Sequence, residues 1–119
     1  MGSLRARASR RLRRARVILR RRFAAVIRTQ LELFRTEEAE LIRDCERAEE
    51  AYNRADRDEA EERYGDYLDL VETGTEILAG LRDAYAATLD PEAEERYVAE
   101  FNHAVTRRLP GFALGLEDS

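Results

Sequence analysis

The stretch Leu31 to Tyr52, LELFRTEEAELIRDCERAEEAY, decides the fold class. Its less polar positions fall at Leu31, Phe34, Glu38, Leu41, Cys45, Ala48 and Tyr52, a repeated three-then-four step interrupted only by Glu38. That spacing collects them on one side of a helix. Downstream the step resumes at Ala60, Tyr64, Tyr67, Val71, Gly74, Leu78, Leu81, Tyr85 and Thr88. The two registers do not join, and the intervening Asn53-Arg54-Ala55-Asp56-Arg57-Asp58 is mainly polar. Asp56 and Glu59 form an Asp-x-x-Glu pattern, in which the aspartate side chain satisfies free N–H groups of a new helix. The spacing therefore predicts a tight turn near residues 53–58 between two antiparallel helices. One unbroken helix in an extended coiled coil is the alternative.

A third helix start lies further on. In Leu89-Asp90-Pro91-Glu92 an N-cap acid precedes a proline at the first helical position, where its missing N–H costs nothing. Ala93, Tyr97, Phe101, Ala104/Val105 and Arg108/Leu109 line one face, and Pro110-Gly111 ends the helix, which is expected from about Pro91 to Leu109. Folding the chain near residue 56 sets Cys45 opposite Tyr67, Phe34 opposite Leu78 and Phe23 opposite Leu89. The third helix, about 28 Å long at 1.5 Å per residue, doubles back along only part of that hairpin. The expected architecture is all-α: a helical body over residues 23–109, a hairpin with a shorter third helix, followed by a C-terminal tail over 110–119. Residues 1–22 extend beyond it as an Arg-rich helix or disordered arm, with a weak apolar stripe at Leu4, Ala8, Leu12, Ala15 and Leu19.

Residues Ala51 to Leu70, AYNRADRDEAEERYGDYLDL, resemble the hairpin centre of a tetratricopeptide repeat, with Tyr52 in the first helix and Ala60 and Tyr64 in the second. The interval from Tyr52 to Ala60 is one residue shorter than that pattern, and no second copy follows at an offset of about 34 residues. The resemblance implies a helical hairpin turn and names no ligand.

Composition limits what such a body can do. At 119 residues, with no tryptophan and 39% charged residues, the chain has room for one domain with a thin core. That favours elongated helices over an enzyme with a deep pocket. The net charge of −4 conceals two opposed segments: residues 1–28 hold eleven arginines and no acid, while residues 29–119 carry ten arginines and all 25 acids, a net −15. Such asymmetry governs association more than folding, because the basic end attracts anions and the acidic body repels them. Every cation is an arginine, a side chain that grips phosphate with two N–H groups at once.

Candidate catalytic groups are sparse. His103 is the single histidine, with Glu100 at i−3 and Arg107 at i+4, which makes no metal set and no acid–base pair. Cys45 sits on the predicted inner face without a nearby histidine and reads as a small apolar filler. The acidic clusters around Glu37–Glu40, Glu46–Glu50 and Asp56–Glu62 lack the Glu-x-x-His of a di-metal bundle and read as a solvated face with pairs such as Glu50–Arg54. Gly65, Gly74 and Gly80 are scattered through a helix rather than gathered in a phosphate loop, which suits close helix approach. No cofactor, metal, catalytic residue or small-molecule substrate is expected.

The expected function is therefore that of a non-catalytic binding or adaptor protein. Its anion-binding residues are Arg5, Arg7, Arg10, Arg11, Arg13, Arg14, Arg16, Arg20, Arg21 and Arg22. Nucleic acid or a ribonucleoprotein is the leading partner. Single-strand binding is disfavoured because residues 1–22 carry no aromatic ring for stacking. The alternatives are an anionic membrane surface, and a protein or homo-oligomeric contact in which the acidic body of a second copy accepts the arm. Arg20-Arg21-Arg22-Phe23 resembles a twin-arginine export signal, but its apolar run, Phe23 to Ile27, is too short. With a lone cysteine, the expected location is cytoplasmic.

Overall fold

A computed structural model describes residues 2–119, with the side chains of residues 7–18 and 20–119. The described chain is all-α: α1 (Gly2–Glu37), α2 (Ala39–Arg54), α3 (Ala60–Ala86), α4 (Pro91–Arg108), a 3-10 turn (Pro110–Phe112) and α5 (Ala113–Glu117). It is elongated, measuring 74 × 26 × 20 Å.

The core begins where the arginine-rich sequence ends. Phe23, Ile27, Leu31 and Phe34, spaced four, four and three along α1, are all buried and share the core with Cys45, Leu78, Tyr97, Phe101 and Val105. Glu38, the one polar residue in the predicted stripe, separates α1 from α2 with φ −108° and ψ 27°. The break is shallow, since Glu38 N–H still donates to Phe34 O and Ile42 N–H to Glu38 O. A carboxylate is costly to bury, and the kink leaves Glu38 half-buried at the helix junction.

Residues 55–59 connect α2 to α3. Asp56 works through its main chain rather than its side chain: its carbonyl accepts from Glu59 N and Ala60 N, both at 3.0 Å, and α3 has no side-chain cap. The aspartate cap read from the sequence is thus replaced by a turn whose backbone satisfies the first N–H groups. Tyr52 meets Tyr64, and the Tyr67 hydroxyl donates to Glu49 at 3.2 Å. These pairs centre the register on residue 58 instead of 56, while Tyr67 still lies near Cys45 as expected.

At the next junction the Asp90 carboxylate accepts from Ala93 N at 2.9 Å, with Pro91 in the first turn. A cap of this kind contributes about 1 kcal/mol. α4 then lays Ala93, Tyr97, Phe101, Ala104 and Val105 against α1 and α3. Phe23 and Phe34 consequently find their ring partners outside the predicted hairpin: Phe23 meets Tyr97, and Phe34 meets Phe112 edge-on at 5.5 Å.

Residues 110–119 differ most from expectation. They are part of the packed body, with Phe112 and Leu116 buried. The 3-10 turn presses Phe112 so close to α3 that a Cβ at Gly74 would overlap its ring, whereas Gly65 and Gly80 face open space. Of the three helix glycines, Gly74 is therefore the one that a close approach requires.

Candidate functional site

The arginine-rich sequence occupies the N-terminal half of α1, a single helix of 36 residues. Residues 7–18 and 20–22 are all exposed, and Phe23 is the first buried position among the described side chains. At 100° per residue, Arg7, Arg10, Arg11, Arg13, Arg14, Arg16, Arg20, Arg21 and Arg22 spread over about 240° of the helix circumference and leave a strip at Ala8, Leu12 and Ala15. Arg5 and the stripe positions Leu4 and Leu19 have side chains outside the described residues.

The cations gather at two places. At the first, Arg7, Arg10, Arg11 and Arg14 stand at i, i+3, i+4 and i+7 along the exposed helix. The second is a cleft where α1 meets α4 and has a volume of about 440 Å³. Its floor is Ala24, Ile27, Ala99 and Ala104; Arg20, His103, Arg107 and Arg108 line its edge with the carboxylate of Glu100. α4 thus adds two arginines and the histidine to the basic end of α1, a convergence that only the pairing of α1 with α4 creates. Arg35 stands apart from this surface, donating to Arg108 O at 2.9 Å at the C-terminus of α4, where a cation faces the negative helix end.

Residues 1–28 themselves hold no carboxylate. Ion pairs in the body join Arg47 to Asp44, Arg54 to Glu50, Arg82 to Asp83 and Arg96 to Glu92. The Arg13 Nε donates to the main-chain oxygen of Ser9 at 3.4 Å.

His103 is exposed, and Cys45 is a buried free thiol whose pKa is raised by burial first, and then by Asp44 and Glu46. A raised pKa keeps sulfur protonated and poorly nucleophilic at neutral pH. Among the described residues no group of three or more His, Cys, Asp or Glu side chains is arranged to hold a metal ion, and no helix is long and apolar enough to cross a membrane.

Arg82 escaped the sequence reading. It is 3% exposed, and its guanidinium reaches Asp83, Asn102 Oδ1, Leu116 O and Ser119 O between 2.8 and 3.5 Å. The role is structural: one cation ties α3 to α4 and to the C-terminal end of α5. A second periodic face on α3, Thr75, Leu78, Arg82 and Ala86, was the available signal, masked by the assumption that arginine faces solvent.

No protein-family model, curated protein or solved structure matches this chain.

Proposed function

We propose that this chain is a non-catalytic docking protein, whose residues 1–22 form a projecting cationic arm on the helical body and bind the phosphate backbone of double-stranded nucleic acid. The observation that carries the reading is the continuous exposed helix of residues 7–18 and 20–22 within a segment that holds eleven arginines and no acid. A lone helix with side chains is about 10–12 Å across and a B-DNA major groove is about 12 Å wide. Arginines spread over about 240° of the helix circumference can meet both phosphate rows that border such a groove. Guanidinium forks contact phosphate oxygens without reading sequence, so the binding is sequence-independent and salt-sensitive. The acidic body repels the same polyanion and confines contact to the arm and its root. A free Cys45 thiol suits a reducing cytoplasm.

Binding isotherms for duplex DNA, duplex RNA, and vesicles with and without phosphatidylserine, each over a salt series, test this. The proposal expects duplex binding whose log K falls linearly with log salt, with a slope of about −0.9 per phosphate contacted on B-DNA. Binding confined to anionic vesicles would contradict it and assign the arm to a membrane surface, where the Ala8/Leu12/Ala15 strip would enter the headgroup layer.

A further inference from the structure

Besides the basic arm, the molecule carries an apolar groove of about 570 Å³ between α3 and the C-terminal turn, bounded by Tyr64, Leu68, Val71, Leu114 and Gly115. Among the described residues eight large apolar side chains are exposed. Three of them, Tyr64, Leu68 and Leu114, belong to this groove, and three more, Leu12, Val17 and Ile18, belong to the arm. Leu114 is 84% exposed, Ile18 64% and Leu12 60%. Leucine on α5 held this far into water has no role in the chain's own core, which α5 serves through Leu116.

Charge points the same way. Residues 56–76, which contain the α3 wall of the groove, hold nine exposed carboxylates against two arginines, with Glu72 and Glu76 on the groove lining itself. We infer that this groove receives the basic arm of a second copy of the chain, the arm's Ala8/Leu12/Ala15 strip entering the apolar floor while the arginines beside that strip face Glu72, Glu76 and their neighbours. Lengths agree: at 1.5 Å per residue, the segment from Arg7 to Ile18 and the wall from Tyr64 to Glu76 each span about 17–18 Å. The arm of the same copy cannot reach, because α1 runs unbroken from Gly2 to Glu37 and is seated at Phe23 on Tyr97, beside the opposite end of α3 where Tyr85 lies. Association is therefore between copies, through two different surfaces. It also competes with polyanion, since both occupy the same arginines.

Sedimentation velocity on the full chain tests the inference, with the groove variant L68E/L114E and the arm variant L12E/R13E/R14E, all at exposed positions. The wild-type sedimentation coefficient should rise with protein concentration at low salt, each variant should remain monomeric, and an equimolar mixture of the two should recover a one-to-one complex through the remaining intact arm and intact groove. Duplex DNA should dissolve the wild-type assembly. A monomeric wild type up to millimolar concentration, or variants that assemble as the wild type does, would overturn the inference. The groove variant separates this inference from the docking function: it should bind duplex DNA at least as tightly as the wild type, so loss of assembly with DNA binding intact bears only on the groove.

Discussion

Phe23 meets Tyr97 edge-on, with ring centroids 5.4 Å apart and planes at 75°, and this contact fixes where α1 enters the core. Every described side chain before it is exposed, and those after it alternate between core and surface. Phe23→Ala should therefore cost about 3–5 kcal/mol of stability, the usual range for an emptied phenylalanine site. Leu12→Ala, in the exposed half of the same helix, should change stability by less than about 0.5 kcal/mol. Urea unfolding followed by circular dichroism checks both, and a costly Leu12 substitution would place the arm inside the folded unit.

Arg82 leads to a second expectation. Arg82→Met keeps most of the volume but leaves Asn102 Oδ1 and Leu116 O without their donor, which should cost about 3 kcal/mol. Because Leu116 and Ser119 lose the same anchor, residues 110–119 should also become the first site of limited proteolysis. An Arg82→Met protein as stable and as resistant as the parent would show that the network is dispensable.

The helix glycines should respond with opposite signs. Gly74→Ala pushes a methyl group into the Phe112 ring and should destabilise by about 1–3 kcal/mol. Gly65→Ala and Gly80→Ala add theirs to open space within α3, where alanine is favoured over glycine by up to about 1 kcal/mol. Melting temperatures of the three variants decide this, with a stabilising Gly74→Ala as the contrary result.

Alkaline pH should weaken the fold. Burial raises the pKa of Tyr97 well above its ordinary value of 10.0; Tyr67 is raised by burial and by Glu49, and the Cys45 thiol above 9.0 by burial and by Asp44 and Glu46. Each group keeps its proton longer in the folded chain than in the unfolded one. Its contribution is complete below the unfolded value and is lost as pH climbs through the folded value. Stability should hold up to about pH 9 and then fall, less steeply in Tyr97→Phe. Thermal melts between pH 7 and 11 measure it, and a flat profile across that range would contradict the burial of these groups.

The parts of this molecule that local rules govern were legible in the residues. A repeating step of three and four gave the helical class, Asp90-Pro91 marked a helix start, and the Tyr97/Phe101 face of α4 followed from spacing alone. What the sequence concealed depends on long-range packing. Pairing by distance from a turn has no means of bringing Tyr97 of α4 onto Phe23, or of drawing Phe112 onto Gly74. Arg82 was hidden because its burial is stabilised by carbonyl groups at Leu116 and Ser119, more than thirty residues away. The arginines were plain from composition, while their meeting with His103, Arg107 and Arg108 at the α1–α4 cleft required the fold.

Removal of residues 1–22 is the most direct measurement. Fluorescence anisotropy with a labelled DNA duplex, at low and at near-physiological salt, should show tight, salt-dependent binding by the full chain and none by residues 23–119, whose cooperative unfolding persists because Phe23 and the core behind it are retained. Equal affinity of the shortened chain for the same duplex would contradict the docking role of the arm.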